Sequence, residues 1–226
     1  MTPTAIVSYD DTPTDFDALM LARVLADAGT ELVLGYVRHT ADPEHEYHEQ
    51  EEAQLLLDRG ARLLGDLDVE RRVVANGSTA AGLHTLAQQE EADLIIFGSD
   101  YRTAAGHVEP QRSTQALLEG GSVAIAIAPA KYRSEHARTF GRVGVLATPD
   151  DPAALATASD LAESLGARLT HGEPYVDLLV VGSRPEAPGG RVMLSAHAQN
   201  AIESAMYPVL VLPRGVAVRF PLVLTG

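Results

Sequence analysis

Cysteine is absent from the 226 residues, which excludes a disulfide framework, a thiolate metal site and thiol catalysis. Basic residues are scarce. Seventeen Lys plus Arg stand against 31 Asp plus Glu, a formal charge of −14, so a broad electrostatic grip on nucleic acid is not expected and any anionic ligand must be held by local donors. Only Lys131 is a lysine, a bias read as base composition rather than as phosphate recognition. No run approaches the roughly 18 apolar residues of a membrane helix. The opening MTPTAIVSYDD has neither a basic start nor a long apolar segment; neither secretion nor membrane insertion is expected, and the composition fits a reducing cytoplasm. What is present is 46% apolar and 21% charged residues, enough to bury a core and too little charge density for disorder.

Short β-rich runs alternate with longer helical patterns, the signature of crossover units that build a parallel sheet. AIVSYD reads as a buried strand, followed by a helix over 15–28 that Gly29 stops. ELVLGYV, RRVVA, ADLIIFGSD and SVAIAIAP read as four further strands, with Ser78 as the cap of a helix running to Gln89. After Pro129 the segment AKYRSEHARTFG is polar and reads as a linker. A second, shorter copy follows. ADLIIFGS ends at Ser99 and VDLLVVGS at Ser183, a shift of 84, and Pro129 and Pro213 close the next apolar runs at the same shift. The first strands align Asp10 with Thr148, a shift of 138, so the second copy lacks about a strand, a helix, a strand and a helix. It is expected to keep a first strand, a helix over 152–165, a remnant near Leu169 and the last strand–helix–strand unit, and to pack on the first half. The expected domains are 1–130, a linker 131–140, and a truncated copy with a tail at 141–226, in which VAVRFPLVLTG is either an extra edge strand or a tail docked on a neighbour.

The expected fold is α/β, an open, mostly parallel five-stranded sheet of Rossmann-like order 3-2-1-4-5 with the shortened copy packed on it as a pseudo-dimer. Ligands in such sheets sit beyond the carboxyl ends of strands where the order reverses, between the first and fourth strands. Asp10 and Gly98 fall there. The loop SDYRTAAGHVEPQRST then leads into a short helix from about Ser113, and glycine amides with a helix start can receive phosphate; Arg102, Arg112 and His107 could offset its charge. The structural alternative is the stronger one at this point, because a Gly-containing loop alone is a weak signal: Gly98 for strand exit, Gly106 for a turn, Ser113 or Thr114 for a cap. A second cluster, His39, His45 and His48 among Glu44, Glu46, Glu49 and Glu52, allows a divalent metal by spacing, but HEYHE is not the zincin pattern and reads as a solvated acidic helix start. No metal site is expected.

VSYDDTP, DLIIFGS, the loop running to Ser-Thr, and SVAIAIAP resemble the universal stress protein (UspA-like) family. VDLLVVGSRPEAPGGRVMLSAHAQNAIESAMYPVLVLPRG resembles the same family's C-terminal part. The resemblance implies a five-stranded α/β fold that pairs through its last strand, within tandem chains or as a homodimer, and, in many members, adenine-nucleotide binding. It places ATP or AMP, with Mg as the nucleotide's own ion, at Asp10, the backbone near Val37, Gly98, Gly106, Ser113 and Thr114. The family's phosphate motif asks for glycine at 101 and 111, where this chain has Tyr101 and Gln111; in the second half Pro185 and Ser195 depart from it. The implied role is a cytoplasmic stress-response regulator. It is expected not to be an enzyme, any ATP hydrolysis being slow and incidental; the alternatives are a nucleotide-free interaction module and a small hydrolase or transferase on a related fold.

Overall fold

The structure, a computed structural model, describes residues 2–39, 46–132, 140–148, 151–172 and 175–221. The first half runs β1 (Thr4–Ser8), α1 (Pro13–Asp27), β2 (Glu31–Arg38), α2 (Glu46–Leu63), β3 (Val69–Ala75), α3 (Thr79–Gln89), β4 (Leu94–Gly98), α4 (Arg112–Leu118) and β5 (Ala124–Ala128). The second runs β6 (Arg142–Leu146), α5 (Pro152–Ser164), β7 (Arg168–His171), β8 (Leu178–Val181), α6 (Ala196–Glu203) and β9 (Val209–Val211). Together the strands form one sheet in the order β3-β2-β1-β4-β5-β9-β8-β6-β7. The expected 3-2-1-4-5 order is therefore present. Every pairing is parallel except β5 with β9, where Ile125, Ala126 and Ile127 face Val211, Leu210 and Val209.

Helices cover both faces, so the central strands carry apolar side chains on both sides rather than alternating with polar ones. In β5, Ala124, Ala126 and Ala128 turn to the layer of α1, α2 and α5, while Ile125 and Ile127 turn to that of α3, α4 and α6. Small residues on one side let α1 lie close; branched ones fill the other. Both cores draw residues from both halves.

The repeat seen in the sequence recurs as hydrogen bonds. Ser99 Oγ donates to the Ala128 carbonyl (2.7 Å) and accepts from the Glu109 amide (3.1 Å); Ser183 Oγ donates to Leu212 (2.7 Å) and accepts from Met193 (3.1 Å). The Gly106 amide donates to Ala130, and the Gly190 amide to Arg214, both at 2.8 Å. Each pair is related by 84 residues. Another pair joins the two shifts: Asp93 accepts from the Thr4 amide and Asp177 from the Arg142 amide, both at 2.9 Å, with the acceptors related by 84 residues and the donors by 138. Among the described residues the second half has four strands and two helices, and β7 stands where a remnant near Leu169 was expected. Gly35 of β2 is covered by Leu83 and Leu86 of α3, and Gly144 of β6 by Val176 from the loop before β8.

The linker expectation falls mostly outside the described residues, since 133–139 are not among them. Its ends are packed: Tyr132 and Phe140 are buried, and the Lys131 amide donates to buried Asp17 (2.8 Å). As far as it is described, to residue 221, the C-terminal segment forms no edge strand. It crosses the helical layer, with Val218 and Phe220 in the core, the Val218 amide on Thr157 Oγ1 (2.9 Å), Arg219 on Asp160 (3.2 Å) and Ser164 Oγ donating to the Pro221 carbonyl. Pro221 seats on Gly29, whose φ of +85° ends α1 and whose missing β-carbon would lie 2.6 Å from the proline ring. One inward face, two residues apart, suits a strap over helices as well as it suits a strand. Truncating Phe220 to Ala removes a buried ring at a cost of about 3 kcal/mol, and calorimetry of the full chain should show Tm lowered by roughly 6–12 °C; an unchanged Tm would mean the strap contributes nothing.

Candidate functional site

The carboxyl ends of β1 and β4 meet the start of α1. Thr12 caps that helix in a box motif. Asp15 Oδ2 accepts from the amides of Asp10 (2.9 Å) and Thr12 (2.8 Å) and from Thr12 Oγ1 (2.8 Å), which satisfies amides that a helix start leaves open. Burial pushes the Asp15 carboxyl up, and these donors pull against it. A Thr-x-x-Asp spacing ahead of an apolar helical run was the sequence signal for this lock. Asp10 is thereby fixed by its backbone, and its carboxylate is exposed, with no hydrogen-bond partner among the described residues. Beside it, Tyr9 is buried, its hydroxyl donating to Asp11 (2.9 Å), and Arg59 of α2 pairs with Asp11 (2.9 Å). The tyrosine is raised by burial first and then by Asp11; Asp11 is lowered by the Tyr9 bond and by Arg59, against a smaller desolvation.

The predicted phosphate side is assembled differently from the expectation. Gly98 is buried, and a β-carbon there would fall 2.0 Å from the Thr14 carbonyl. The glycine lets α1 lie against the end of β4. Gly106 has φ +82°, so it serves a left-handed turn, and its amide is spent on Ala130. Thr114 is fully buried, its hydroxyl without a partner among the described residues; it lies on the inner face of α4 with Leu117 and Leu118, so it cannot turn to solvent. Ser113 is half-buried in the first turn. Val37 points its methyls at Gly82 of α3, where a β-carbon would sit 2.6 Å away. The residue that sequence reasoning passed over is Gln111. Its Nε2 donates to the carbonyls of Gly98 (3.1 Å) and Ser99 (3.4 Å) and to Thr14 Oγ1 (3.2 Å). The signal was its position, where the motif asks for glycine.

The loop amides are largely committed. Asp100 donates to Glu109, Thr103 to Asp100, His107 to Ala104 and Val108 to Ala205 across the pseudo-symmetry axis. Arg102 stacks on Tyr101 (4.9 Å to the ring centre) and its Nε donates to that hydroxyl (2.7 Å). Of the histidine cluster, His45 lies outside the described residues. His48 faces Glu51 at 3.9 Å, and His39 bridges the Asn76 carbonyl and Thr79 Oγ1, both at 3.2 Å. Among the described residues no group of three or more His, Asp or Glu is arranged to hold a metal, and no helix is long and apolar enough to cross a membrane.

The Asp10 carboxyl is held above its ordinary range by partial loss of solvent, opposed by His39 and reinforced by Asp11. The folded chain thus binds this proton more tightly than the unfolded one. The stability it contributes is complete below the ordinary carboxylate range and is lost as pH rises through the raised value. Asp10→Asn should therefore melt with the wild type at low pH and above it at neutral pH. An equal difference at both pH values in thermal denaturation would contradict this.

Comparison with known proteins extends the fold and the family. A crystal structure of a universal stress protein from Archaeoglobus fulgidus superposes over 94% of this chain and 98% of its own, with a TM-score of 0.69 at 15% identity. A functionally unknown protein from Pseudomonas aeruginosa superposes over 95% and 93%, with a TM-score of 0.65 at 14% identity. These likenesses are of fold. A curated relative, the UDP-N-acetylglucosamine 1-carboxyvinyltransferase of Acinetobacter baylyi, is 28% identical over 165 residues, which are 73% of this chain and 30% of that enzyme. The chain thus spans less than a third of that relative's length. The model of the universal stress protein family matches residues 1–127, the stretch that holds the β1–β4 junction and the loop after Gly98, and the chain belongs to the universal stress protein family.

Proposed function

We propose that this chain is a regulatory module of the stress response that acts by binding and shape rather than by catalysis, and that its first-half phosphate loop is closed by its own side chain. The observation that carries this reading is Gln111. Its amide makes three donor contacts beside Gly98, at the position where the resemblance asks for a glycine that would leave room for phosphate. An incoming phosphate would have to expel a neutral donor that already satisfies two carbonyls. It would then face the Gly98 and Ser99 carbonyl oxygens, which repel it. The strand edge through which such modules pair is occupied within the chain by β9, so one polypeptide supplies both halves of the scaffold. The reading also places the protein in the cytoplasm, in keeping with a chain that has no cysteine.

A second reading, ATP or AMP bound in the first half with Asp10 as adenosine-side anchor, draws on the exposed and unpartnered Asp10 carboxylate, a strong acceptor for ribose or adenine donors. The two readings separate in one experiment. Purified chain is denatured and its supernatant assayed for adenine absorbance, and Mg-ATP and AMP are titrated calorimetrically into wild type and Gln111→Gly. The expected result is no saturable binding by the wild type and measurable ATP binding by Gln111→Gly that Asp10→Ala abolishes. At a hundredfold excess over Kd, a bound ligand adds about 2.7 kcal/mol, several degrees in Tm for a chain of this size. Tight ATP binding by the wild type would overturn the closed-loop reading and establish the second.

A further inference from the structure

Between α4 and α6 the two halves enclose a groove of about 590 Å³, within the roughly 300–1,000 Å³ of small-ligand sites. It straddles the pseudo-symmetry axis, for its lining residues recur in pairs 84 apart: Gln115 and Gln199, Leu118 and Ile202, Glu119 and Glu203. When Arg112–Glu119 is laid on Ala196–Glu203, only the glutamine and the glutamate are identical among the eight positions. What the two diverged helices still share is thus what each presents to the groove.

The Val192 amide, ahead of α6, donates to Gly121 just past α4, and the Val108 amide, ahead of α4, donates to Ala205 just past α6. Each helix therefore starts beside the end of the other. The two run antiparallel, and Glu119 and Glu203 stand at opposite ends of the groove. Between them the floor is apolar, with Leu118, Ile202 and Val192 buried. Both glutamates are exposed, and neither has an ion-pair partner among the described residues. Each closes a helix whose last turn holds no basic residue, which adds the negative end of a dipole to its charge. The ends differ in one respect. Arg184, held to Met193 through its amide (2.8 Å), lines the groove on the Glu119 side, whereas the first half has Asp100 at that position. Arg112, at the start of α4 on the Glu203 side, is exposed and is not part of the wall. Of the charged residues that line the groove, Glu203 alone has no opposite charge at its end.

We infer that this groove binds an amphipathic amine, a primary alkylamine whose aliphatic body lies along Leu118, Ile202 and Val192 and whose ammonium sits on Glu203. The Gln199 carbonyl, one turn earlier on the same face of α6, is a second acceptor for it. The neutral end of the chain lies toward Glu119, whose charge Arg184 offsets. An inorganic cation has no body for the apolar floor, a fatty acid meets two carboxylates, and a neutral alcohol leaves Glu203 without a counter-charge. The groove is distinct from the space beside Gly98, so the inference does not rest on how that loop treats a nucleotide.

The test is calorimetric titration of the full chain with octylamine, octanol, octanoate and magnesium chloride. Octylamine should bind once per chain, about fivefold tighter than octanol or more, with octanoate weaker than both. Affinity should rise roughly two- to fourfold per methylene from butylamine to octylamine. Glu203→Gln, an exposed substitution that keeps the shape, should weaken octylamine about fivefold and leave octanol unchanged. Glu31→Gln removes the same charge from the exposed start of β2, outside the groove, and should leave octylamine unchanged. No saturable heat with octylamine overturns the proposal, as does octanol or magnesium binding as tightly as octylamine. Wild-type octylamine affinity in Glu203→Gln overturns it too, and so does an equal loss in Glu31→Gln, which would mean diffuse attraction to an acidic chain.

Discussion

The antiparallel pairing of β5 with β9 is the constraint on which the rest of the molecule depends. Both strands are apolar on both faces and each ends its half, so each alone would present a bare hydrophobic edge. Joined through Ala126 and Leu210, they turn two open sheets into one of nine strands. The join also makes the shortened half possible. With four strands and two helices, that half has too little surface to bury for a core of its own. It borrows from the first, for Val143, Val180 and Leu210 share a cluster with Val7, Leu94 and Ala126. Hydrogen bonds cross the axis reciprocally, Val108 to Ala205 (3.1 Å) and Val192 to Gly121 (2.8 Å). These two bonds connect positions that exchange under the 84-residue shift, so the loop after each Gly-Ser is anchored by the opposite half.

That anchoring gives the glycines of a pattern resembling a phosphate loop a role in packing. In a loop held at both ends by the partner half and by its own β5 or β9 strand, amides are consumed by turns rather than offered to a ligand. Gly98 is needed because α1 lies on the end of β4, and α1 lies there because the Thr12–Asp15 box fixes its first turn to the backbone of Asp10. The helix start therefore determines both the exposed carboxylate on one side and the closed space on the other. The two features that invite a nucleotide reading are products of one lock.

Much of this architecture was legible in the sequence because it is periodic. Alternating apolar runs carried the strands, the common order of such sheets their arrangement, Ser78 its helix cap, and the difference between the shifts of 138 and 84 the shortening of the second half. The site was less legible, for reasons of distance. Thr14 and Gln111 are 97 residues apart, and nothing local to Gln111 says that its amide will fold back on Gly98. Thr114 reads as an available hydroxyl until α4 is seen to present it inward with Leu117. The tail reads as a strand because its inward residues alternate, a pattern that a strap crossing α5 reproduces when it makes single hydrogen bonds to Thr157 and Ser164. Local periodicity reports which face is buried, not what buries it.

The two halves show how a repeat can diverge while its frame is held. The Ser99 and Ser183 hydroxyls make the same two bonds at matching distances, so the strand exits are constrained alike. Twelve residues after each serine the constraint ends, and there the chains part: one places an amide that fills the space, the other a capping hydroxyl that does not. The neighbouring changes are consistent with each choice. Beside Gln111 the facing group is a threonine hydroxyl, content with a neutral donor. In the second half the group over the glycine is a buried carboxylate, Asp151, 2.9 Å from where a β-carbon of Gly182 would lie. Both glycines are thus held to their size by what the following helix lays on them, while the side chain twelve residues after the serine is free to differ: a carboxamide that folds back on the strand end in one half and a hydroxyl that caps its helix in the other.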